Sequence, residues 1–297
     1  MIAIDLGSNT IRMVTFDGET WGKSFEKVVR TAESLHTTQR IGDSAVERII
    51  GAIEEGKQKL DFHAHDVIGV TTAAMRLAQN RTEVLEIIFR RTGVVFTLID
   101  GEKEAALTLM AVRYRLMQMG RLPSRFLLSD IGGGSTEFVE SKEGSCRSVS
   151  FNIGIVTLSE SATQESERNK KLASFVSDIR SFADPHGGDL LVLTAGTPTT
   201  IAAYLSGMDY DHYDPERING FKLRLKDCHR VYQELLDMDE ATRIRYVGVG
   251  REQLIATGIL MVIAIYSALN IQEAVVVDDG LREGVALNYY AQSCHIF

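Results

Sequence analysis

Two glycine-rich segments, each led by an aspartate, contain residue types that bind phosphate. In one, Asp130 and Ile131 are followed by Gly132, Gly133, Gly134, Ser135, Thr136 and Glu137. In the other, Asp5 and Leu6 are followed by Gly7, Ser8, Asn9 and Thr10. Because glycine weakens regular structure, such a segment predicts a sharp turn or a close backbone approach. Backbone N–H groups and hydroxyls at these turns would hold phosphate, and the two aspartates offer oxygens suited to Mg²⁺.

The residues around the glycines decide which kind of phosphate loop the chain can form. No segment matches the Walker pattern G-x-x-x-x-G-K-[ST]. A Rossmann loop opens a helix, whereas "STEFVE" after Gly134 favours a strand. The turn is therefore predicted to join two strands of a hairpin, where successive N–H groups still form an anion-binding nest. Taken singly, each turn is better explained as a plain hairpin with aspartate as a turn former.

The two aspartate-led segments lie 125 residues apart and open two similar halves of the chain. Both halves read as three strands followed by alternating helices and strands, with the turn around Pro123 between them. A repeat of this length predicts a duplicated domain with a cleft between the copies. We expect domains at 1–123 and 124–284, with a C-terminal helix 285–297 that packs back on the first. The duplication also favours phosphate binding over plain turns.

Composition and charge limit the classes to which the protein can belong. The net charge of −8 opposes a general nucleic-acid binder, which needs a broad basic face. The apolar stretch 254–269 is interrupted by Gly258 and is short for a bilayer span, so it predicts a buried core helix and no membrane association. Cys146, Cys228 and Cys294 lack C-x-x-C spacing, and the N-terminus lacks the features of a signal peptide. We therefore expect reduced thiols and a cytoplasmic protein.

Other residues have a structural and a functional explanation. Glu104 falls in the first turn of a predicted helix, where a carboxylate is favourable without any catalytic role. Arg76 follows a predicted strand, a position where cleft residues of α/β folds collect but where surface arginines also occur. Gly196 and Thr197 begin a predicted helix, and capping alone accounts for their residue types. Arg251 can likewise be explained either as a cleft residue or as a surface arginine.

Eight segments, taken together and in order, resemble motifs of the exopolyphosphatase / guanosine pentaphosphate phosphohydrolase (Ppx/GppA) family of actin-like ATPase folds. They are "DLGSNTIRMV", "TTAAMRLAQN", "DGEKEAALTLMAV", "SDIGGGSTEFVE", "FNIGIVTLSE", "TAGTPTTIAA", "YDPERINGFKL" and "DDGLREGV". The resemblance implies an α/β fold of two actin-like (ribonuclease H-like) domains. Each domain would have a mixed five-stranded sheet flanked by helices, with an active-site cleft between the domains.

The resemblance also implies an activity and a set of roles. The activity is release of terminal phosphate from inorganic polyphosphate or guanosine pentaphosphate (pppGpp), with Mg²⁺ or Mn²⁺ as cofactor and a homodimer as one expected assembly. Glu104 matches the residue that activates water, and Arg76 and Arg251 would offset negative charge. The metal ligands implied are Asp130, Asp5 and Glu137. Gly196 and Thr197 would contact a nucleotide or a more distant phosphate.

The chain departs from the family pattern at three positions. Lys103 stands where a glutamate is common, Gln253 where an aspartate is common, and Asn219 where histidine is usual. Because of Lys103, a non-catalytic sensor that binds polyphosphate or guanosine tetra- and pentaphosphate is an alternative function. An actin-like kinase is a further alternative. The sequence given ends near the second domain, whereas long exopolyphosphatases continue into helical domains, so we do not assume processive degradation of long chains.

Overall fold

The computed structural model describes residues 1–143, 145–183 and 190–294, without the side chains of residues 293 and 294. It divides into two compact units. Unit 1 contains Met1–Ala111 and the chain from Leu281 onward, and unit 2 contains Val112–Gly280. The division thus falls inside a helix at Ala111, earlier than the turn around Pro123 from which we predicted the boundary. A proline turn marks where a helix ends, whereas a compact unit can be divided within a long helix.

The described residues form eleven strands and thirteen helices. The strands of unit 1 are β1 Ile2–Leu6, β2 Thr10–Phe16, β3 Trp21–Val28, β4 Val67–Thr71 and β5 Phe96–Leu98. Those of unit 2 are β6 Arg125–Ile131, β7 Thr136–Lys142, β8 Ser145–Phe151, β9 Leu191–Thr194, β10 Phe221–Arg224 and β11 Glu273–Val276. The helices are α1 Leu35–Thr38, α2 Asp43–Lys59, α3 Ala73–Leu77, α4 Arg81–Thr92, α5 Gly101–Gln118, α6 Ile155–Ser161, α7 Glu165–Phe182, α8 Gly196–Leu205, α9 Pro215–Ile218, α10 Leu225–Asp237, α11 Glu240–Val247, α12 Ile255–Leu269 and α13 Leu281–Cys294.

The two sheets share one plan. Unit 1 has the strand order β3-β2-β1-β4-β5, and unit 2 has the order β8-β7-β6-β9-β11-β10. In both, the first three strands form an antiparallel meander, and the first strand also pairs in parallel with the fourth. The predicted α/β class with two mixed sheets is confirmed.

The sheet of unit 2 has six strands instead of the predicted five. The additional strand, β10, lies at the edge and pairs antiparallel with β11. It has four residues, "FKLR", of which only Leu223 is buried. So short a segment has too few alternating residues to predict a strand, and pairing with β11 is what makes it one.

Each unit has its own core. In unit 1, Met1, Ala3 and Val14 of the sheet cluster with Leu281 and Val285 of α13, so this helix packs against β1 and β2. Residues 295–297, which belong to the predicted helix 285–297, lie outside the described residues.

In unit 2, the apolar stretch forms the predicted core helix α12, whose Ile259, Val262 and Ile265 are fully buried. Among the residues described, we find no helix with the length and apolar character needed to cross a membrane. Cys146 and Cys228 are free thiols.

Candidate functional site

The glycine turn of unit 2 directs successive N–H groups to one side. Gly132 N–H closes the turn on the carbonyl of Ser135 at 3.0 Å. The carbonyls of Gly132 and Gly133 accept hydrogen bonds of 3.0 and 2.8 Å from Ile155 and Val156, at the start of α6. Because these peptides are trans, each C=O and the N–H that follows point in opposite directions. The N–H groups of Gly133 and Gly134 therefore point away from α6, an arrangement that binds anions.

Two carboxylates flank this turn. Asp130 on β6 lies directly opposite Glu137 on β7, so their side chains are on the same face and within reach of one another. Glu137 is 1% exposed, and its Oε1 accepts hydrogen bonds of 2.7 Å from Ser135 Oγ and Ser150 Oγ. Mg²⁺ is commonly held by one or two carboxylates together with phosphate oxygens and water. The pair fits that donor set.

Metal binding at this pair would need further ligands. In the part of the chain that the structure describes, no group of three or more His, Cys, Asp or Glu residues is arranged to hold a metal ion. A cation at Asp130 and Glu137 would therefore complete its coordination with water and phosphate oxygens, as Mg²⁺ does in phosphate-transfer sites.

The two hydroxyls beside the glycines bond within the protein. Ser135 Oγ donates to Glu137, and Thr136 Oγ1 donates to the carbonyl of Ile153 at 2.6 Å. Both residues are buried, with Thr136 fully so. Of the predicted phosphate ligands at this turn, the glycine N–H groups are the ones directed outward, while these two side chains hold the carboxylate and the end of the hairpin in place.

The turn of unit 1 has the same construction. Gly7 N–H donates to the Thr10 carbonyl at 2.9 Å, the same pair of positions as in unit 2. The Ser8 carbonyl accepts from Ala32 N–H at 2.8 Å, and the Asn9 carbonyl accepts from the two residues after β3. The N–H of Asn9 therefore points away from this segment. The structure thus repeats the backbone of the turn as well as its sequence.

Side chains across the first hairpin differ from those across the second. Asp5 lies opposite Arg12 on β2, and Arg12 lies opposite Glu26 on β3. Arg12 Nε is 2.9 Å from Glu26 Oε2. A guanidinium directly across from Asp5 competes with a metal cation for its carboxylate. Asp5 is therefore less suited to bind Mg²⁺ than Asp130, whose cross-strand neighbour is a second carboxylate.

Glu104 and Arg76, both predicted from sequence, form an ion pair within unit 1. Glu104 lies in the first turn of α5 and is 9% exposed. Arg76, on α3, donates from Nη1 to Glu104 Oε2 at 2.8 Å and to the Ile99 carbonyl at 3.0 Å. The guanidinium stabilises the ionised carboxylate, which is the form that accepts a proton. Lys103, the neighbouring departure from the family pattern, is exposed.

Arg251 lies on a glycine turn between α11 and α12. Gly248 and Gly250 have φ values of +86° and +82°, which glycine adopts readily. The guanidinium carbon of Arg251 is 5.5 Å from the ring centre of Tyr210, a cation–π contact. The structure therefore places Arg251 in unit 2, against an aromatic ring, and Gln253 on the exposed side of the same turn.

The β9–α8 connection, which holds Gly196 and Thr197, is tightly packed and strained. Ala195 has φ +76° and ψ −177°, a conformation that essentially only glycine adopts without cost. Thr197 is 3% exposed and packs so closely on Gly258 that a Cβ there would lie 2.2 Å from its Oγ1. The N-cap residue of α8, Ala195, makes no side-chain capping hydrogen bond, so packing rather than the predicted capping accounts for Thr197. Strain such as that at Ala195 is typical of functional turns.

Asp278 and Asp279, which we did not select from the sequence, follow β11 at the edge of the second sheet where Asp130 lies. β6, β9 and β11 run parallel, and Asp130, Thr194 and Asp278 lie at or just after their carboxyl ends, where ligands of α/β sheets collect. Asp278 N–H donates to Asn219 Oδ1 at 2.8 Å, which gives that departure a structural role. The signal that could have found Asp278 and Asp279 is the motif "DDGLREGV".

Asp279 is held by an arginine. Arg115 donates to its two carboxylate oxygens at 2.7 and 3.2 Å, and Thr194 Oγ1 donates to its carbonyl at 2.9 Å. Burial by itself lowers the pKa of Arg115, but the hydrogen bond and charge of Asp279 outweigh it and raise that pKa. The pair is therefore permanently charged and fixes the end of β11.

The fold defines a protein of the actin-like class, and each of its two units has a glycine-containing turn led by an aspartate. Comparison with known proteins identifies its family. The pattern of the Ppx/GppA phosphatase family matches residues 24–292, and the chain belongs to this family.

Solved structures are similar over nearly the whole chain. A Ppx/GppA family member from Aquifex aeolicus is 28% identical, with a TM-score of 0.77 over 99% of this chain and 98% of that one. An exopolyphosphatase-like protein is 27% identical, with a TM-score of 0.85 over 98% and 99%. An exopolyphosphatase from Cytophaga hutchinsonii, 22% identical with a TM-score of 0.81 over 99% and 97%, shares the fold. These similarities support a hydrolase that acts on phosphoric anhydrides.

A sequence relative is matched over a shorter span. An uncharacterised protein of Streptomyces coelicolor is 35% identical over 139 residues, which make up 45% of this chain and 40% of that protein. The match therefore spans less than half the length of that relative.

Proposed function

We propose that this protein is a Mg²⁺-dependent phosphohydrolase that releases terminal orthophosphate from inorganic polyphosphate. The observation that carries the proposal is the turn of unit 2, where the N–H groups of Gly133 and Gly134 point outward beside Asp130 and Glu137. That turn offers hydrogen-bond donors for phosphate oxygens and carboxylates for a cation. Membership of a phosphatase family supports the proposal.

In this proposal the two units have different roles. The turn of unit 2 would hold a phosphate group through its N–H groups, and in unit 1 the N–H of Asn9 offers a phosphate donor of the same kind. Glu104 accepts a proton from the attacking water, and its ion pair with Arg76 holds the carboxylate in one orientation. Arg76 positions Glu104, and Arg251 offsets charge on the substrate.

Asp130 and Glu137 are the residues of unit 2 that would hold Mg²⁺, and Asp5 is the weaker candidate in unit 1. When bound, the ion would neutralise charge on the phosphate oxygens. Ser135 and Ser150 donate to the same oxygen of Glu137. These two hydrogen bonds fix the orientation of the Glu137 carboxylate beside Asp130.

The main alternative substrate is pppGpp, whose 5′ end presents a triphosphate with the same terminal anhydride. The family includes phosphatases named for both substrates. We keep the cytoplasm as the expected compartment because the two described thiols are free. Nucleic acid and membranes are not among the proposed partners, and a homodimer stays a prediction.

The test is orthophosphate release by wild type and Glu104→Gln. Purified protein with Mg²⁺ is offered tripolyphosphate, longer polyphosphates, pppGpp and ATP. We expect the variant to lose about 100- to 10,000-fold in kcat, the usual contribution of a positioned general base. Glutamine has nearly the same shape but removes the charge that pairs with Arg76, so we expect a lower melting temperature with the fold retained, and kcat is compared at a temperature where both proteins are folded.

The matched control is Glu102→Gln, which removes an exposed carboxylate from the same helical turn and should leave kcat unchanged. Near-wild-type turnover by the Glu104 variant would remove Glu104 from the mechanism. Tight binding without phosphate release by wild type would favour a sensor, and transfer to an acceptor other than water would favour a kinase.

A further inference from the structure

The glycine turn of unit 2 packs against the start of α6. The side chain of Thr157, in the first turn of α6, lies close to the turn and to the start of the helix. We propose that Thr157, acting through Gly154, is a positioning residue that keeps the N–H groups of Gly133 and Gly134 directed at the substrate phosphate. The inference rests on the proposed function of this turn. It assigns to Gly154 and Thr157, at the start of α6, a role in holding this turn.

Gly154 packs directly against the backbone of the turn. A Cβ at this position would lie 2.5 Å from the carbonyl carbon and oxygen of Gly133 and 2.6 Å from the nitrogen of Gly134. These atoms are backbone, so they cannot move aside as a flexible side chain would. The absence of a side chain at residue 154 is what lets α6 approach the turn closely enough to bond its carbonyls.

Thr157 connects Gly154 to the turn. Its Oγ1 accepts the Gly154 N–H at 2.8 Å and lies 3.1 Å from the Gly154 carbonyl and 3.5 Å from the Gly134 carbonyl, to either of which it can donate. Its own N–H donates to the Gly133 carbonyl at 3.3 Å. Thr157 therefore caps the start of α6 and bonds the turn through its backbone N–H, and its hydroxyl lies within reach of a second carbonyl of the turn.

These bonds control the direction of the donors that face the substrate. Three successive glycines have more conformational freedom than any other tripeptide, and fixing them costs entropy on binding. Because C=O and the following N–H are antiparallel in a trans peptide, holding the carbonyls on α6 sets the N–H direction in advance. Such preorganisation raises affinity without adding any contact to the ligand.

Three variants separate this role from general helix stability. Thr157→Val has nearly the same shape but no hydroxyl, and Thr157→Ser keeps the hydroxyl. Thr157 lines a cavity of about 350 Å³ bounded by β8, α6 and α7, so neither replacement is crowded. Ser161→Ala is the matched control, because Ser161 Oγ donates to the Thr157 carbonyl inside the same helix and not to the turn.

The measurements are the equilibrium dissociation constant for tripolyphosphate by calorimetry, KM and kcat for its hydrolysis, and the melting temperature. Loss of one hydrogen-bonding group should weaken tripolyphosphate binding by Thr157→Val roughly three- to tenfold. KM should rise in parallel while kcat changes by less than about twofold, the pattern of lost ground-state binding. Thr157→Ser and Ser161→Ala should bind like wild type.

Three outcomes overturn the inference: wild-type affinity in Thr157→Val, equal weakening in Thr157→Ser, or equal weakening in Ser161→Ala. The binding measurement needs no turnover, so it separates the two proposals. If wild type binds tripolyphosphate but releases no orthophosphate, the proposed activity fails while the role of Thr157 is still decided by affinity. If wild type does not bind tripolyphosphate, the turn is not a phosphate site and the inference fails with it.

Discussion

The hairpins β1–β2 and β6–β7 have the same backbone but different charges and different supports. Each closes with the same hydrogen bond, and each has carbonyls bonded to the chain that follows its third strand. In unit 1 that support is an irregular segment that includes Arg30 at φ +48°. In unit 2 it is the first turn of a helix. At the equivalent residues Asn9 and Gly134, the N–H therefore points away from the support in both hairpins, although the supporting element differs.

The cross-strand neighbours give the two hairpins different chemistry. In unit 1 the row across the strands is Asp5, Arg12 and Glu26, a set that largely neutralises itself. In unit 2 the equivalent row is Asp130, Glu137 and Ser150, which leaves two carboxylates together. On this difference rests our proposal that the turn of unit 2, rather than that of unit 1, holds the cation.

The largest effect that we expect is on kcat, and it should differ between variants of these two rows. Asp130→Asn removes a carboxylate from the proposed metal pair, and we expect kcat to fall about 1000-fold, since bound metal contributes several kcal/mol. Asp5→Asn removes a carboxylate that already faces Arg12, and we expect a loss below about tenfold. The measurement is orthophosphate release from tripolyphosphate as a function of Mg²⁺ concentration.

The shape of the Mg²⁺ titration gives the control for this pair of variants. Asp130→Asn should need much more Mg²⁺ for half of its residual activity, while Asp5→Asn should need about as much as wild type. An equal loss in both variants would contradict the proposed asymmetry between the two hairpins.

The second prediction concerns the supports beneath the turns. Gly154→Ala places a methyl group against the backbone of Gly133 and Gly134, so it should lower the free energy of unfolding by about 1–3 kcal/mol, the usual cost of overpacking. In Gly7→Ala the methyl group would lie 3.4 Å from the Thr10 carbonyl and 4.0 Å from Asp5 Oδ1, and Gly7 has no positive φ, so the cost should stay below about 1 kcal/mol. Urea unfolding measures both. Equal costs would mean that the support of the second turn is no tighter than that of the first.

The smallest effect that we expect is on the melting temperature, and it concerns the charge of Glu140, which has no counterpart at the equivalent position of the first hairpin. Glu140 on β7 pairs with Lys142 and Arg147, and Thr15 holds the equivalent position on β2. Burial raises the pKa of Glu140, but hydrogen bonds from Lys142 and Arg147 outweigh it and lower that pKa. A pKa lowered by folding adds stability above the unfolded value, and this stability is lost as the pH falls through the folded value.

We therefore expect Glu140→Gln to have a lower melting temperature than wild type at neutral pH. The difference should shrink between about pH 5 and pH 3, as wild-type Glu140 takes up its proton. Thr15→Val, which changes the equivalent position of unit 1, should differ from wild type by a constant amount over the same range. A Glu140→Gln difference that does not depend on pH would mean that packing, rather than charge, accounts for it.

Local patterns in the sequence were enough to predict much of the fold. Glycine runs followed by strand-forming residues predicted the hairpins, and the 125-residue offset predicted two similar sheets. The apolar stretch predicted the core helix α12. These features depend on residues close together in the chain, whose backbone preferences and periodicity can be read directly.

Other features required contacts between residues far apart in the chain. Edge strand β10 exists because it pairs with β11, and its four residues have too little pattern of their own. The Arg76–Glu104 pair joins two helices of unit 1. From the sequence, Arg76 was expected to neutralise substrate charge, whereas the structure places it on the predicted base.

The sequence by itself determined that two glycine turns, each led by an aspartate, would end the first strand of each sheet. It could do so because turn formation depends on adjacent residues. The tertiary structure alone decided what surrounds those turns: Arg12 opposite Asp5, Ser150 bonded to Glu137, and Gly154 beneath Gly133. Strand register and the packing of α6 set these contacts, and both result from burying the core of a whole unit rather than from any local segment.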